Sequence, residues 1–191
     1  MKNKAIFFDR DGTLNYDPGY ISDPEVIKLL PGVVEGLKYL QDVLHFKLIV
    51  VSNQAGISRG LLSHEQVDKV NKRISDLLIS DQIRIEKFYY CPSHPDFSTE
   101  DECKCRKPSP QMIFDASKDY DIDLSKSYLI GDRASDIESG LNAGVYSILL
   151  SSDILKEQIS LLQNHQKSAN FVADNFRHAV SRIAERTKKE I

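Results

Sequence analysis

Phe7-Phe8-Asp9-Arg10-Asp11-Gly12-Thr13-Leu14 places two carboxylates two positions apart, where a short apolar run starting at Ala5 ends. Along an extended chain alternate side chains share one side, so Asp9 and Asp11 are expected to face the same way. Two acids on one side can divide a displacement reaction, one attacking an electrophile while the other gives and takes protons. Gly12 and Thr13 let the chain turn at once. A lone pair of this kind would do no more than cap backbone N–H groups at a strand-to-helix turn. Its weight comes from three later segments.

Val50-Val51-Ser52-Asn53-Gln54 ends a second apolar run in a hydroxyl, and Cys105-Arg106-Lys107-Pro108 supplies cations. Tyr128-Leu129-Ile130-Gly131-Asp132-Arg133-Ala134-Ser135-Asp136 ends another apolar run in acids. Segments 5–8, 46–51, 83–90, 127–130 and 145–150 read as strands, with helical stretches between most of them. Val33, Leu37, Leu40 and Leu44 form one apolar stripe; Val67, Val70, Ile74, Leu77 and Leu78 form another, behind the capping-box pattern Ser63-x-x-Gln66. Further helices are predicted over 110–120, over 134–143 and from about Asp174, with a last strand near Phe171. This alternation predicts an α/β fold, a mostly parallel sheet covered on both faces, which binds ligands at the carboxyl ends of its strands. Asp9, Asp11, Ser52 and Asp132 all fall at such ends, and Lys107 arrives from a loop.

Composition sets the outer bounds. With 191 residues, 41% hydrophobic and 28% charged, the chain 1–191 reads as one ordinary globular domain with a real core. A net charge of -3 gives no electrostatic case for a nucleic-acid or membrane partner. Lys2 and Lys4 before an apolar run imitate the start of a signal peptide, but Asp9-Arg10-Asp11 cuts that run short. No long apolar span follows, so the cytoplasm is the expected location. Cys91, Cys103 and Cys105 all fall in one loop segment. An odd number of cysteines without a secretory signal argues against a disulfide framework and points to metal or catalysis.

In their order, the four chemical segments resemble the four motifs of the haloacid dehalogenase superfamily, most of whose members are Mg²⁺-dependent phosphatases. The resemblance covers roughly the first three quarters of the chain. It implies a Rossmann-like three-layer fold and gives each residue a task. Asp9 would be the nucleophile that forms an aspartyl-phosphate, and Asp11 would protonate the departing alkoxide and then deprotonate water. Mg²⁺ would be held by Asp9, the backbone carbonyl of Asp11 and Asp132, with Asp136 supporting the metal shell or orienting Lys107. Ser52 would donate to a phosphoryl oxygen, and Lys107 would balance negative charge.

Several stretches narrow the resemblance: Asp9 to Asn15, Pro18-Gly19-Tyr20, Leu30-Pro31-Gly32-Val33, Ser52 to Gly60, and Cys105-Arg106-Lys107-Pro108. They are similar to a branch of small phosphatases acting on heptose bisphosphate or histidinol phosphate, which lack a large cap domain and shape specificity with loops. Asn53, Arg59 and Arg106 become candidate substrate contacts, Arg106 for a phosphate. The relatives hold zinc with Cys-x-His and Cys-x-Cys, whereas Cys91-Pro92-Ser93-His94 has its histidine one residue later. The resemblance still implies a structural Zn²⁺ on Cys91, His94, Cys103 and Cys105. A monomer acting on a small sugar phosphate is expected, with the heptose favoured over histidinol phosphate. Two readings from other classes rank lower. A receiver phosphorylated on aspartate would carry its acceptor after a later strand, and a zinc-organised binding module would leave the four-segment crevice unexplained.

Overall fold

The apolar runs do become strands, and they join into one sheet. The structure, a computed structural model, describes residues 2–189. Its strands are β1 (Ala5–Phe8), β2 (Lys47–Asn53), β3 (Ile85–Cys91), β4 (Tyr128–Gly131), β5 (Tyr146–Leu150) and β6 (Phe171–Ala173). All pair in parallel, in the order β3-β2-β1-β4-β5-β6. The helices are α1 (Val33–Lys38), α2 (His64–Ile79), α3 (Gln111–Tyr120), α4 (Ala134–Asn142), α5 (Leu155–Asn164) and α6 (Phe176–Lys189). The helix α5 was not foreseen from the sequence. None of the described helices is long and apolar enough to cross a membrane.

Strand alternation splits the interior in two. Ile6, Phe8, Leu48, Val50, Ile130 and Ile148 point to one face, where α1, α2 and α6 cover them with Leu37, Ile74 and Ile183. Ala5, Phe7, Ile49, Val51, Leu129 and Leu149 point to the other, under α3, α4 and α5 with Ile113, Ile137 and Leu162. A parallel sheet so covered needs apolar residues on both faces, which is why its strands read as unbroken hydrophobic runs. Each fully buried Ile, Leu or Phe contributes about 1.5–3 kcal/mol. At Gly36 a Cβ would meet the Phe176 ring at 2.7 Å, so the missing side chain lets α1 lie against α6.

The order of strands decides where the chemistry sits. The chain runs outward from β1 to β2 and β3, then returns to place β4 on the other side of β1. Adjacent connections therefore leave the sheet in opposite directions at the carboxyl ends of β1 and β4, the position where open α/β sheets form a crevice. A backbone bond from Asp9 N to Ile130 O, 3.0 Å, closes the two strand ends against each other.

The capping box of α2 is formed as the sequence suggests: Ser63 Oγ accepts from Gln66 N at 3.2 Å, and Gln66 Oε1 accepts from Ser63 N at 2.8 Å. Ser63→Ala is expected to cost about 1 kcal/mol, lowering Tm by roughly 2–4 °C. Differential scanning calorimetry checks this; an unchanged Tm would show that the box adds nothing to α2.

Candidate active site

A cleft of about 320 Å³ opens at the carboxyl ends of β1, β2 and β4, and Asp9, Asp11, Ser52, Asn53, Arg106 and Lys107 line it. Arg133 and Asp136 line it as well, so residues from four separate stretches meet at one place. At the floor, the Lys107 ammonium is buried and donates to Asp9 Oδ1 at 2.7 Å, Asp136 Oδ1 at 2.6 Å and Val51 O at 2.8 Å. Burial works against its charge, but Asp136 and Asp9 outweigh that and push its pKa up to about 12. Asp136 also caps α4 by accepting from Arg133 N at 3.0 Å, so its carboxylate is fixed from two sides.

One lysine does not balance the acids. Oxygens of Asp9, Asp132 and Asp136 lie within 4.8 Å of one another, and all three residues are buried. Burial, which Lys107 only partly opposes, together with the nearby Asp136 and Asp11, raises the Asp9 pKa to about 7. Burial and the charges of Asp136 and Asp9 raise Asp132 to about 8. Asp132 Oδ1 is buried and has no hydrogen-bond partner. An orphaned oxygen in an oxygen-only cluster with excess negative charge fits a hard divalent cation such as Mg²⁺. Gly12, at φ +80°, makes room for it: a Cβ there would lie 2.5 Å from Asp132 Oδ2.

Asp11 lies apart from that cluster. The strand stops at Phe8, so the alternation expected for Asp9 and Asp11 does not continue through Arg10. Arg10 instead folds back, 1% exposed, and grips the neighbouring carboxylate through Nε at 3.1 Å and Nη2 at 2.8 Å. Asn15 Nδ2 at 2.9 Å and Gln54 Nε2 at 3.0 Å complete the set. Burial favours the neutral acid, yet Arg10 and these donors hold the Asp11 pKa below the ordinary carboxylate range. Gln54 Nε2 also donates to Ser52 Oγ at 2.7 Å, which leaves the serine's own proton for another acceptor.

The three residues expected to touch substrate take different places. Asn53 braces the Lys107 backbone, with Lys107 N donating to Asn53 Oδ1 at 3.0 Å and Asn53 Nδ2 donating to Lys107 O at 3.1 Å. Arg106 is half-buried and tethered by Nη1 to Ser93 O at 3.1 Å. Burial and nearby Arg59, only partly offset by Cys103, draw its pKa below the ordinary value, the mark of a cation short of counter-charge. Arg59 itself donates to His94 Nε2 at 2.8 Å and lies over the Phe97 ring. Arg133, absent from the expected set, also lines the cleft and bridges to Asp17 at 3.2 Å. Its position directly after Asp132 was the available signal. Arg10, Gln54 and Asn71 were missed as well.

The cysteine loop requires a correction. Cys91 and Cys105 are joined as a disulfide, with Cα atoms 5.4 Å apart, and Cys103 alone is a free thiol. Sulfurs bonded to each other are not thiolate ligands, so the expected zinc set of Cys91, His94, Cys103 and Cys105 is not formed. His94 contacts Arg59 and the Asp96 backbone instead. The end of β3 and the turn Glu102–Cys105 bring the two ends of the excursion within disulfide range, and the bond takes up two of the four expected ligands. Among the described residues, the acidic trio is the one group of His, Cys, Asp or Glu side chains spaced to hold a cation.

Known proteins resemble this chain in sequence and in fold. The family described as HAD-hydrolase-like matches residues 104–179. D-glycero-alpha-D-manno-heptose-1,7-bisphosphate 7-phosphatase of Burkholderia mallei is 40% identical over 156 residues, covering 80% of this chain and 82% of that protein. The D-glycero-D-manno-heptose-1,7-bisphosphate 7-phosphatase of Chlorobaculum tepidum is 35% identical over 187 residues, covering 93% and 92%. Among solved structures, a D,D-heptose 1,7-bisphosphate phosphatase from B. bronchiseptica, complexed with magnesium and phosphate, superposes with a TM-score of 0.83. It shares 24% identity and covers 96% of this chain and 99% of that one.

The raised carboxyls give a linkage test. Without metal, Asp9 and Asp132 hold protons in the folded chain up to about pH 7 and 8, while their unfolded value is near 3.8. The folded state then binds more protons across that window, so the metal-free protein loses stability as pH rises through it. A cation that favours the ionised forms removes this loss. Mg²⁺ is therefore expected to raise Tm more at pH 8 than at pH 6, read by thermal unfolding with and without the ion. Equal shifts at both values would refute the assignment of the ion to these carboxylates.

Proposed function

Because this chain belongs to the haloacid dehalogenase-like hydrolases, in the branch of the heptose-bisphosphate phosphatases, we propose that it removes the C7 phosphate of D-glycero-D-manno-heptose 1,7-bisphosphate through a covalent intermediate on Asp9. Membership makes the chain a phosphatase. The observation that carries the chemistry is the buried Asp9 carboxylate, one oxygen held by Lys107 and the acids Asp132 and Asp136 beside it, at the mouth of two parallel strands.

Phosphate monoesters resist hydrolysis because the nucleophile must approach charged oxygens and the alkoxide leaves poorly. Mg²⁺ held by Asp9, Asp132 and the Asp11 carbonyl, with Asp136 in support, would supply the charge neutralisation this demands. Lys107 fixes Asp9 Oδ1 and so orients the carboxylate for attack on phosphorus. As the Asp9 oxygen–phosphorus bond forms, the bond from phosphorus to the sugar C7 oxygen breaks, and Asp11 gives that oxygen a proton. Ser52 donates its free hydroxyl proton to a phosphoryl oxygen. Asp11 then takes a proton from water, whose oxygen attacks phosphorus; the acyl-phosphate bond breaks, phosphate leaves and Asp9 is restored.

Substrate choice rests on the rim. Arg106 is under-compensated and lies near Arg59, so a second anionic group reaching that side would find two guanidinium groups. A bisphosphate offers such a group, and remote binding of it can orient the reacting ester. Histidinol phosphate would present an ammonium there instead.

Asp9→Asn is expected to lower kcat by roughly a thousandfold or more while circular dichroism stays native. Near-normal turnover by the folded variant would sink the aspartyl-phosphate route. Arg106→Ala should reduce kcat/KM for the heptose bisphosphate by about tenfold to a hundredfold, and for p-nitrophenyl phosphate far less. If histidinol phosphate is the better substrate of the unmodified protein, the heptose assignment falls and the phosphatase chemistry remains.

A further inference from the structure

Among the described residues Arg10 is the largest fully buried side chain, and its place between two acids does not by itself explain why a guanidinium should be there. Removing such an ion from water costs several kcal/mol unless it is paired and fully hydrogen-bonded. The pairing it receives is specific. Nε and Nη2 grip the Asp11 carboxylate as a fork, Nη2 also reaches Gln54 Oε1 at 3.0 Å, and Nη1 reaches Asn71 Oδ1 at 3.0 Å. Asn71 comes from the middle of α2, a helix that supplies none of the reacting groups proposed above. Gln54 closes the arrangement, because the same amide that accepts from Arg10 donates to both Asp11 and Ser52. The main chain of Arg10 contributes too, its carbonyl accepting from Leu14 N at 2.9 Å and Asn15 N at 3.2 Å to shape the turn.

We propose that Arg10, tethered by Asn71 and Gln54, is a positioning residue that sets the plane and reach of the Asp11 carboxylate for proton transfer to the leaving oxygen and from the attacking water. This deepens the preceding reading and rests on it. A fork–fork contact fixes a carboxylate in its plane more tightly than a point charge does, and Asn71 fixes the fork in turn. Every hydrogen bond found at Asp11 is donated to it, so the resting carboxylate is seated as a base. It acts as an acid while it carries a proton taken from solvent or from the attacking water of the preceding turnover, without leaving the seat that aims it at the ester oxygen.

The structural alternative is that Arg10 merely neutralises a buried charge. The two differ in which step suffers. A p-nitrophenolate leaving group departs without a proton, whereas a sugar alkoxide needs one, so loss of aim should spare the first and harm the second. Single-turnover rates with enzyme in excess over p-nitrophenyl phosphate and over heptose 1,7-bisphosphate read leaving-group release directly in each case. Arg10→Lys and Asn71→Ala are expected to slow release from the heptose ester tenfold or more. Release of p-nitrophenolate should stay within about threefold of the unmodified protein, and the phosphoenzyme should then persist because water activation is also impaired. Equal slowing of both esters, or no slowing of either, would overturn the positioning role. Should Arg10→Lys fail to fold, Asn71→Ala decides, since it removes one tether and leaves the ion pair. Absence of any phosphoenzyme on Asp9 in unmodified protein during turnover would overturn the underlying chemistry instead, a result distinct from either variant outcome.

Discussion

The Lys107 ammonium, buried against Asp9, Asp136 and the Val51 carbonyl, is the interaction on which the rest of the site depends. It ties together the ends of β1 and β2, the start of α4 and the loop before α3. A buried ammonium is tolerated only while its partners are in place, and removing one of them typically costs about 3–5 kcal/mol. Asn53 secures the same lysine through its backbone, and the α4 cap secures Asp136. The network therefore holds the Asp9 carboxylate at a fixed point while leaving the carboxylates with more negative charge than one lysine neutralises. That residual charge is what the proposed metal would neutralise.

How much of this was legible in the sequence follows from which parts are local. Parallel strands covered on both faces must be apolar throughout, so five of the six strands were readable to within about two residues, and β6 could be placed near Phe171. Asp9, Ser52 and Asp132 were legible for the same reason, as polar residues stationed where apolar runs stop. The helix α5 was overlooked because Leu155, Ile159 and Leu162 give it only a thin apolar stripe, of which Leu162 alone is fully buried.

Other features depended on where chains meet, which spacing does not encode. Alternation along an ideal strand sends Arg10 away from its acidic neighbours, and only the turn after Phe8 brings it back onto Asp11. Asn53 stands beside Ser52 in a pattern that suggests ligand contact, yet its amide matches both polar groups of the Lys107 peptide. For Cys91 and Cys105 the spacing was ambiguous in principle, since a shared metal and a disulfide both require the loop ends to meet. Chain closure alone did not choose between them, and the structure joins the sulfurs.

The strand order also governs when the site comes into being. In space β1 lies between β2 and β4, but in the chain β4 follows β2, β3 and three helices. A nascent polypeptide can pair β1 with β2 and β3 as soon as those segments have emerged. Until β4 docks, Asp132 and Asp136 are missing, and Lys107 must keep its hydration because half of its compensation has not been made. Such non-local pairing is slow compared with forming the helices and the first strand pairs. Asp9 is thus made well before the acids that complete its surroundings, and a chain halted before β4 carries it without Asp132 and Asp136.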